Sequence, residues 1–547
     1  MNVWSAVPDD RVTVAVRDAA GNEMTTATAT ALLDRDFGLL SELIDCHARE
    51  RGEKAALVHG NDVLSYQALN AAMDRFAAAL QRAGVAPGDN VVIVSETNHL
   101  CALAFLGALR AGCAPTPLPP SATPRQLGAM IDDSHASIVF ADQEAALVLG
   151  GITATLVRLD QLEDWLGPGP GRPMPIDRGP EDPFNIIYSS GTTGAPKGIV
   201  HSHAMRWRQV RNFAPFGYDQ AKTLVATPLY SNTTLVSFLP TLAFGGTAVL
   251  LGKFDVLKFL ETSQRHRINH AMLVPVQYQR IMASPLFDAY DLSSYAVKFC
   301  TSAHFPKELK ADVVKRWPGL LFEFYGMTEG GGSCTLIANE APDKLHTVGK
   351  PGPDTDIRII DESGNEVPSG AIGEIVGRST VMMSGYYGRA DATDAAIWIS
   401  PEGHRFIRHG DLGKFDDDGF LILMGRKKDL IISGGFNIYP ADIEAALLEH
   451  PDVEDCAVIG VPSEKWGETP FAYFVSRDET LRSEDVLDWV NSRVGKTQRL
   501  SGAEAIAGLP RSQIGKVLKR ELQDLHLTSH GSGRETPAFP EPPEPTK

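Results

Sequence analysis

Several things are scarce or missing in this chain, and each absence narrows what it can be. The six cysteines (Cys46, Cys101, Cys113, Cys300, Cys334 and Cys456) stand far apart, and no two share the spacing of a zinc site or a redox dithiol. A reduced, cytoplasmic chain is the expectation. Basic residues are outnumbered, 51 against 68 acidic, for a net charge of -17. Sequence-independent binding to nucleic acid needs Lys and Arg to displace phosphate counterions, and anionic lipid makes the same demand, so neither partner is expected. The opening residues, MNVWSAVPDD, lack a basic start and an apolar core, and no secretory signal is read there. No G-x-S-x-G elbow occurs, and His201-x-His203 has no further spaced ligands, which removes the common hydrolase and metalloenzyme readings.

Charge is locally missing as well. Between Lys222 and Lys253 there is not one charged side chain. A membrane span needs an unbroken apolar run, whereas Pro228, Pro240 and Gly245-Gly246 interrupt this one and Ser231 to Thr234 sit within it. The pattern predicts a strand, a loop, a buried helix and a strand from Thr247 to Leu251, with no stable membrane insertion.

What is present is ordinary globular material, 43% hydrophobic and 22% charged over 547 residues. That length calls for more than one domain. Phe37, Leu40, Leu43, Ile44 and His47 recur at helical spacing. Ala55 to His59 and Val63 to Ser65 flank Gly60-Asn61-Asp62 and predict a hairpin. A long helix is expected from Tyr66 to Ala83, with Leu69, Met73, Phe76 and Leu80 on one face and Gly84 closing it. A strand at Asn90 to Ser95, a helix at His99 to Ala111 and a proline-rich connection at Pro115 to Pro120 follow. Such alternation predicts an α/β fold with largely parallel, helix-covered sheets. Residues 167–183 read as a linker, and 349–425 as short strands divided by turns. Among these, Asp416 to Gly419 reads as a hairpin turn and not a calcium loop, because the remaining EF-hand ligands are missing. A compact unit of roughly a hundred residues begins after Lys428. The expected division is 1–427, 428–527 and a proline-rich, disordered tail at 528–547.

Chemistry concentrates at residues 188–203, YSSGTTGAPKGIVHSH. A short strand runs into serines, a Gly-Thr-Thr-Gly turn, a lysine and a second apolar pair. Glycines allow close backbone approach, and hydroxyls with exposed N–H groups form a surface suited to phosphate oxygens. A Walker loop puts its lysine directly after glycine and opens a helix; here the order is Gly191-x-x-Gly194-x-x-Lys197, followed by β-type residues. Further motifs lie at Tyr325-Gly326-Met327-Thr328-Glu329, Gly410-Asp411-Leu412-Gly413, Gly425-Arg426-Lys427-Lys428-Asp429, Gly434-Gly435 and Gly515-Lys516. Taken singly, each could be a cap, a turn or part of a basic amphipathic helix.

In this order the motifs resemble those of the adenylate-forming superfamily, which includes acyl-CoA synthetases, peptide-synthetase adenylation domains and firefly luciferase. The acyl-CoA synthetase branch is the most similar, and the resemblance covers about residues 35–525. It implies a large N-terminal domain of two helix-covered sheet subdomains plus a small β-barrel, with a small mobile α+β C-terminal domain. It also implies an enzyme that uses ATP, Mg²⁺ and CoA to convert a carboxylic acid, through acyl-AMP, into its CoA thioester. Ser189, Ser190, Gly191, Thr192, Thr193, Gly194 and Lys197 would hold the β- and γ-phosphates. Ser302, Ala303, Tyr325 and Gly326 would bind the nucleotide, Tyr325 against adenine; Thr328 would contact the α-phosphate and Glu329 the Mg²⁺. Asp411 would accept from the ribose hydroxyls with Arg426 as companion, and Lys516 would be the catalytic lysine. Gly434, Gly435 and Trp466 would line a CoA tunnel, and Lys428 would be the hinge.

Departures from the family pattern bear on the acid. Ser231 stands where many members carry histidine after an aromatic residue, here Tyr230, and Phe324 replaces a small residue. With Gly330, Gly331 and Gly332 read as leaving room, the expected substrate is a bulky hydrophobic acid, alicyclic, aromatic or medium-to-long aliphatic. An acyl-AMP ligase loading a separate carrier protein stays open as an alternative, and so does homodimer formation. A nucleotide sensor without activity is disfavoured, since binding ATP does not require the catalytic lysine.

Overall fold

The computed structural model describes residues 15–17, 23–25, 28–168, 171–189, 196–434, 436–478, 480–512 and 515–530. The chain divides into two compact units, one of residues 1–371, 375–409 and 415–422, the other of 372–374, 410–414 and 423–547.

The first unit is built on two largely parallel sheets. A four-stranded parallel sheet runs in the order Ala114–Leu118, Asn90–Val94, Ile138–Ala141, Thr155–Arg158. Its inner strands are buried along their whole length, as continuous apolar runs require when both faces are covered. The segment expected as a proline-rich connection is in fact the strand Ala114–Leu118. Pro115 and Pro117 are tolerated because this is an edge strand: alternate residues send their N–H the same way, so the missing donors fall on one side.

The larger sheet is nine-stranded, in the order Lys350–Pro351, Cys334–Ile337, Leu320–Tyr325, Val297–Cys300, His270–Leu273, Lys222–Val225, Thr247–Leu250, Ala55–His59, Asp62–Ser65. From Leu320–Tyr325 to Ala55–His59 neighbours run parallel. Chain order reverses at Lys222–Val225, whose successors lie on opposite sides of it. In open α/β sheets, ligands bind beyond the carboxyl ends of the strands at such a reversal.

Helices cover these sheets where periodicity places them. Tyr66–Arg82 is capped by the Ser65 hydroxyl at Ala68 N–H and buries Leu69, Met73, Phe76 and Leu80. The helix Asn232–Ala243 fills the charge-free stretch and is buried almost throughout despite Pro240. No helix among the described residues is long and apolar enough to cross a membrane. The helix Lys307–Arg316 is tied to the strand Leu320–Tyr325 by a buried ion pair, Lys310 Nζ to Glu323 Oε2 at 2.5 Å. The same ammonium donates to the carbonyls of Leu345 and Thr347.

The strands Thr355–Ile360, Gly373–Ser379, Arg405–Phe415, Ile397–Ile399 and Leu421–Arg426 share one sheet, in which Ile397–Ile399 runs antiparallel to Arg405–Phe415, and carry the chain into the second unit. There Phe436–Ile438, Ile431–Ser433, Gly467–Ser476 and Val453–Ser463 pair in that order, with Gly502–Ala505 beside Gly467–Ser476. Ile443, Leu447, Val458, Phe474, Val486 and Val490 form its core. The expected hinge Lys428 lies in the 3-10 turn Lys427–Asp429. The last helix, Lys519–His530, includes residues 528–530, which the sequence reading assigned to the tail; residues 531–547 lie outside the described residues.

Candidate active site

The apolar runs on either side of the Gly/Ser/Thr-rich motif are paired strands. Pro183–Ser189 and Lys197–Ser202 pair antiparallel, with Lys197 opposite Ser189 and Ile199 opposite Ile187. Ser190, Gly191, Thr192, Thr193 and Gly194 lie outside the described residues, and Ser189 is described in its backbone only. Gly198 is needed for close packing, since a methyl there would meet the Tyr188 ring at 3.2 Å and Ile186 at 2.9 Å. The Tyr188 hydroxyl donates to Asp133 Oδ2 at 2.7 Å, and Arg389 pairs with Asp133 Oδ1 at 2.6 Å.

Lys197 is joined to the acidic motif by a residue that the sequence reading passed over. The two-residue strand Gly385–Tyr386 pairs with Lys197–Ser202, opposing Tyr386 to Ile199. The Lys197 ammonium lies 5.0 Å from the Tyr386 ring centroid, and the Tyr386 hydroxyl donates to Glu329 Oε1 at 2.9 Å. Burial, then the Glu329 charge, pushes the phenol up, so it stays a donor. Its only signal in sequence is an aromatic pair after a glycine, far from either partner.

The motif residues leave the carboxyl ends of strands in the parallel part of the larger sheet. Tyr325 closes Leu320–Tyr325, Ser302 follows Val297–Cys300, and Tyr230 and Ser231 follow Lys222–Val225. Ser302 is held at φ 85°, a left-handed conformation unusual for serine, and its Oγ lies 2.6 Å from Thr233 Oγ1. Ala303 follows it directly. Ser231 is the buried N-cap residue of Asn232–Ala243. The Tyr230 hydroxyl is buried with no hydrogen-bond partner among the described residues, and burial pushes its phenol up.

Beyond Gly326, Thr328 and Glu329 sit in a turn closed by Gly330 N–H donating to Met327 O at 3.0 Å. The Tyr325 hydroxyl lies 3.0 Å from His409 Nδ1, and His409 Nε2 donates to Gly331 O at 2.8 Å. The glycines at 330, 331 and 332 do not leave space as the sequence suggested. At Gly330, with φ 74°, a methyl would overlap the Val381 carbonyl oxygen; at Gly331 it would press on Ile407 at 2.8 Å, and at Gly332 on Ile357 at 2.8 Å. The side-chain positions are already filled by the turn at Val381 and by the strands that carry Ile407 and Ile357, so these residues are small to permit packing.

His201 lies within the strand Lys197–Ser202, fully buried, and its Nε2 lies 2.7 Å from the Thr328 carbonyl oxygen. His203 opens the helix His203–Asn212.

In the second unit, Arg426 Nε donates to Asp411 Oδ1 at 2.8 Å. Gly434, at φ 56°, donates its N–H to Trp466 O at 2.8 Å, and a methyl on it would press on the indole at 2.7 Å. Gly435 lies outside the described residues; Trp466 is half-exposed. Lys516 is exposed on a turn, not within a basic helix: Arg511 and Val517 form a bridge, and Gly515 takes φ 79°. Arg511 steadies this turn, donating to Gly515 O at 2.6 Å and pairing with Asp455 at 2.6 Å.

Among the described residues, two places could hold a metal. Glu329 offers one carboxylate, which suits Mg²⁺, a cation that commonly takes one or two carboxylates together with substrate phosphates. Among the described residues, His59, Asp62 and His99 also gather, with the two Nδ1 atoms 3.4 Å apart and His99 Nδ1 3.7 Å from Asp62. They stand on the Ala55–Ser65 hairpin and the start of the helix His99–Arg110, away from the motif segments in sequence.

A parallel α/β unit with nucleotide motifs at its strand ends, followed by a small α+β unit, is the architecture of an adenylate-forming enzyme. Residues 44–387 match the family described as AMP-binding enzyme and residues 442–516 its C-terminal domain; the chain belongs to this family, in its acyl-CoA synthetase branch. It is 34% identical over 484 residues to feruloyl-CoA synthase of an Amycolatopsis species, covering 87% of this chain and 96% of the relative. It is 31% identical over 511 residues to indoleacetate–CoA ligase of Aromatoleum aromaticum, covering 89% and 98%. The crystal structure of ATP-bound MatB from Rhodopseudomonas palustris is similar, with TM-score 0.80 and 28% identity over 89% of this chain and 99% of that one.

Proposed function

We propose that this AMP-forming acid–CoA ligase activates a bulky hydrophobic monocarboxylic acid, one bearing an aromatic or alicyclic ring in preference to a plain chain. One observation carries the reading. The buried helix Asn232–Ala243 and the strands on either side of it supply hydroxyl and apolar groups but no charge between Lys222 and Lys253. No residue of that stretch could serve as counter-ion to a second carboxylate on the substrate, and desolvating it unpaired is costly. Relatives named for ferulate and indoleacetate, both ring-bearing acids, support the same choice.

A carboxylate is a poor acyl donor and must first be activated. One of its oxygens attacks the α-phosphorus of ATP, the bond to the β-bridging oxygen breaks, and pyrophosphate leaves. The two reacting groups are both anionic, so positive charge and aligned donors must offset their repulsion. Lys197 and the hairpin loop would hold the β- and γ-phosphates, Tyr325 would pack on adenine, and Thr328 would donate to the α-phosphate. Asp411, steadied by Arg426, would accept from the ribose hydroxyls. Lys516 would supply the charge that lets the carboxylate approach. Glu329, fixed by Tyr386, would hold Mg²⁺, which when bound offsets phosphate charge. In the second half-reaction the CoA thiol loses its proton to solvent, sulfur attacks the acyl carbonyl, the bond from that carbon to the phosphate oxygen breaks and AMP departs. Gly434, Gly435 and Trp466 are the residues proposed to admit the pantetheine arm.

The test is a panel of aryl, alicyclic, straight-chain and dicarboxylic acids with ATP, Mg²⁺ and CoA, scored by AMP release and mass of the thioester. Ring-bearing monoacids are expected to give the highest kcat/KM. Turnover highest with dicarboxylic acids would overturn the substrate reading. Acid-dependent AMP release that requires a carrier protein in place of CoA would favour carrier loading.

A further inference from the structure

A buried guanidinium stands beside the motif that bears Thr328 and Glu329, and among the described residues none of the acceptors that face it is an acid. Arg206, in the helix His203–Asn212, is 1% exposed. Its Nε donates to Asn185 Oδ1 at 3.0 Å, Nη1 to Gln209 Oε1 at 2.6 Å, and Nη2 to Asn232 Oδ1 at 2.9 Å and to His201 Nδ1 at 2.8 Å. Asn185 and His201 come from the two strands of the hairpin, Gln209 from one turn further along Arg206's own helix, and Asn232 from the start of the helix Asn232–Ala243.

The contacts fix the state of His201. Guanidinium can only donate, so Nδ1 must present its lone pair; a carbonyl can only accept, so Nε2 must carry the proton and donate to Thr328 O. Only the neutral Nε2–H tautomer satisfies both. Burial, and then the Arg206 charge, act the same way by lowering the imidazole well below its usual range. The Thr328 carbonyl and the Glu329 N–H belong to one planar peptide, so holding that oxygen sets the direction in which both side chains leave the backbone. On the other side, Glu329 O accepts from Met383 N–H at 2.8 Å.

We propose that Arg206 and His201 form a positioning relay, in which the guanidinium locks the imidazole tautomer and the imidazole locks the Thr328–Glu329 peptide for adenylation. This rests on the functional reading above, because it assumes that Thr328 and Glu329 act on the nucleotide. Both are positioning residues: neither is assigned contact with substrate.

The test separates the half-reactions. Adenylation is followed by acid-dependent ATP–pyrophosphate exchange, and thioester formation by adding synthetic acyl-adenylate and CoA. In His201→Leu, kcat for exchange should fall about 10- to 100-fold, as for a lost buried donor, with KM for the acid within about twofold. Thioester formation from the adenylate should stay within about twofold. His201→Gln, whose amide N–H reaches where Nε2 does, should recover most of the exchange, whereas the shorter His201→Asn should not. Equal loss in both half-reactions, exchange in His201→Leu within twofold of wild type, or equal activity of the Gln and Asn variants would each overturn the relay. The Gln and Asn comparison decides the matter if His201→Leu does not fold. Wild-type protein without acid-dependent exchange would instead refute the functional reading itself.

Discussion

Gly330→Ala distinguishes packing from pocket space at the turn after Glu329. In the structure Gly330 has φ 74°, and an added methyl would overlap the carbonyl oxygen of Val381. A left-handed backbone costs a non-glycine residue about 1–2 kcal/mol. The obstruction is backbone, not a flexible side-chain tip, so the 379–383 segment must withdraw. That segment is pinned by Ser379 Oγ donating to Gly330 O at 2.8 Å and by Met383 N–H donating to Glu329 O at 2.8 Å. Losing both adds roughly 0.5–1.5 kcal/mol each, for a total of about 2–5 kcal/mol. Against a usual stability of about 5–15 kcal/mol, the loss would be plain in urea unfolding followed by fluorescence. Acid-dependent pyrophosphate exchange should fall with it, since Glu329 is displaced. An alanine variant as stable as wild type, altered only in which acids it activates, would refute the packing argument and restore an open pocket at this turn.

Other perturbations follow from the same contacts. Tyr386→Phe keeps a ring under Lys197 but removes the donor to Glu329, so exchange should fall about tenfold or more with an unfolding midpoint close to wild type. Lys310→Met strands Glu323 in the core and should cost about 3–5 kcal/mol by denaturant titration; adding Glu323→Gln should recover part of it. His47 and His203 are buried, and burial lowers each to about 4. The unfolded chain therefore binds their protons first as pH falls from about 6.5 towards 4. Stability is fully present above that window and is lost through it, by about 2 kcal/mol for each histidine at pH 5. Urea titrations across pH 4.5–7.5 should show the slope, and His47→Gln should flatten it.

Much of the architecture could be read from local pattern. The helix Tyr66–Arg82 announces itself through Leu69, Met73, Phe76 and Leu80, and the charge-free stretch resolved into its strand, helix and strand. What escaped depends on partners distant in the chain. Pro115 and Pro117 argue against a strand unless the reader knows that the strand lies at an edge. Tyr386 gains its meaning from Glu329, and His201 from Thr328, separations that no periodicity encodes. The glycines at 330–332 misled for the same reason: smallness in a sequence does not say whether the space is empty or already occupied.

The central claim, that the acid is activated at the α-phosphorus of ATP, is tested most directly with an acid labelled by ¹⁸O in its carboxylate. After turnover with ATP, Mg²⁺ and CoA, mass spectrometry should find one labelled oxygen in the phosphate of AMP and none in pyrophosphate. Label in inorganic phosphate, with ADP as the nucleotide product, would contradict the account.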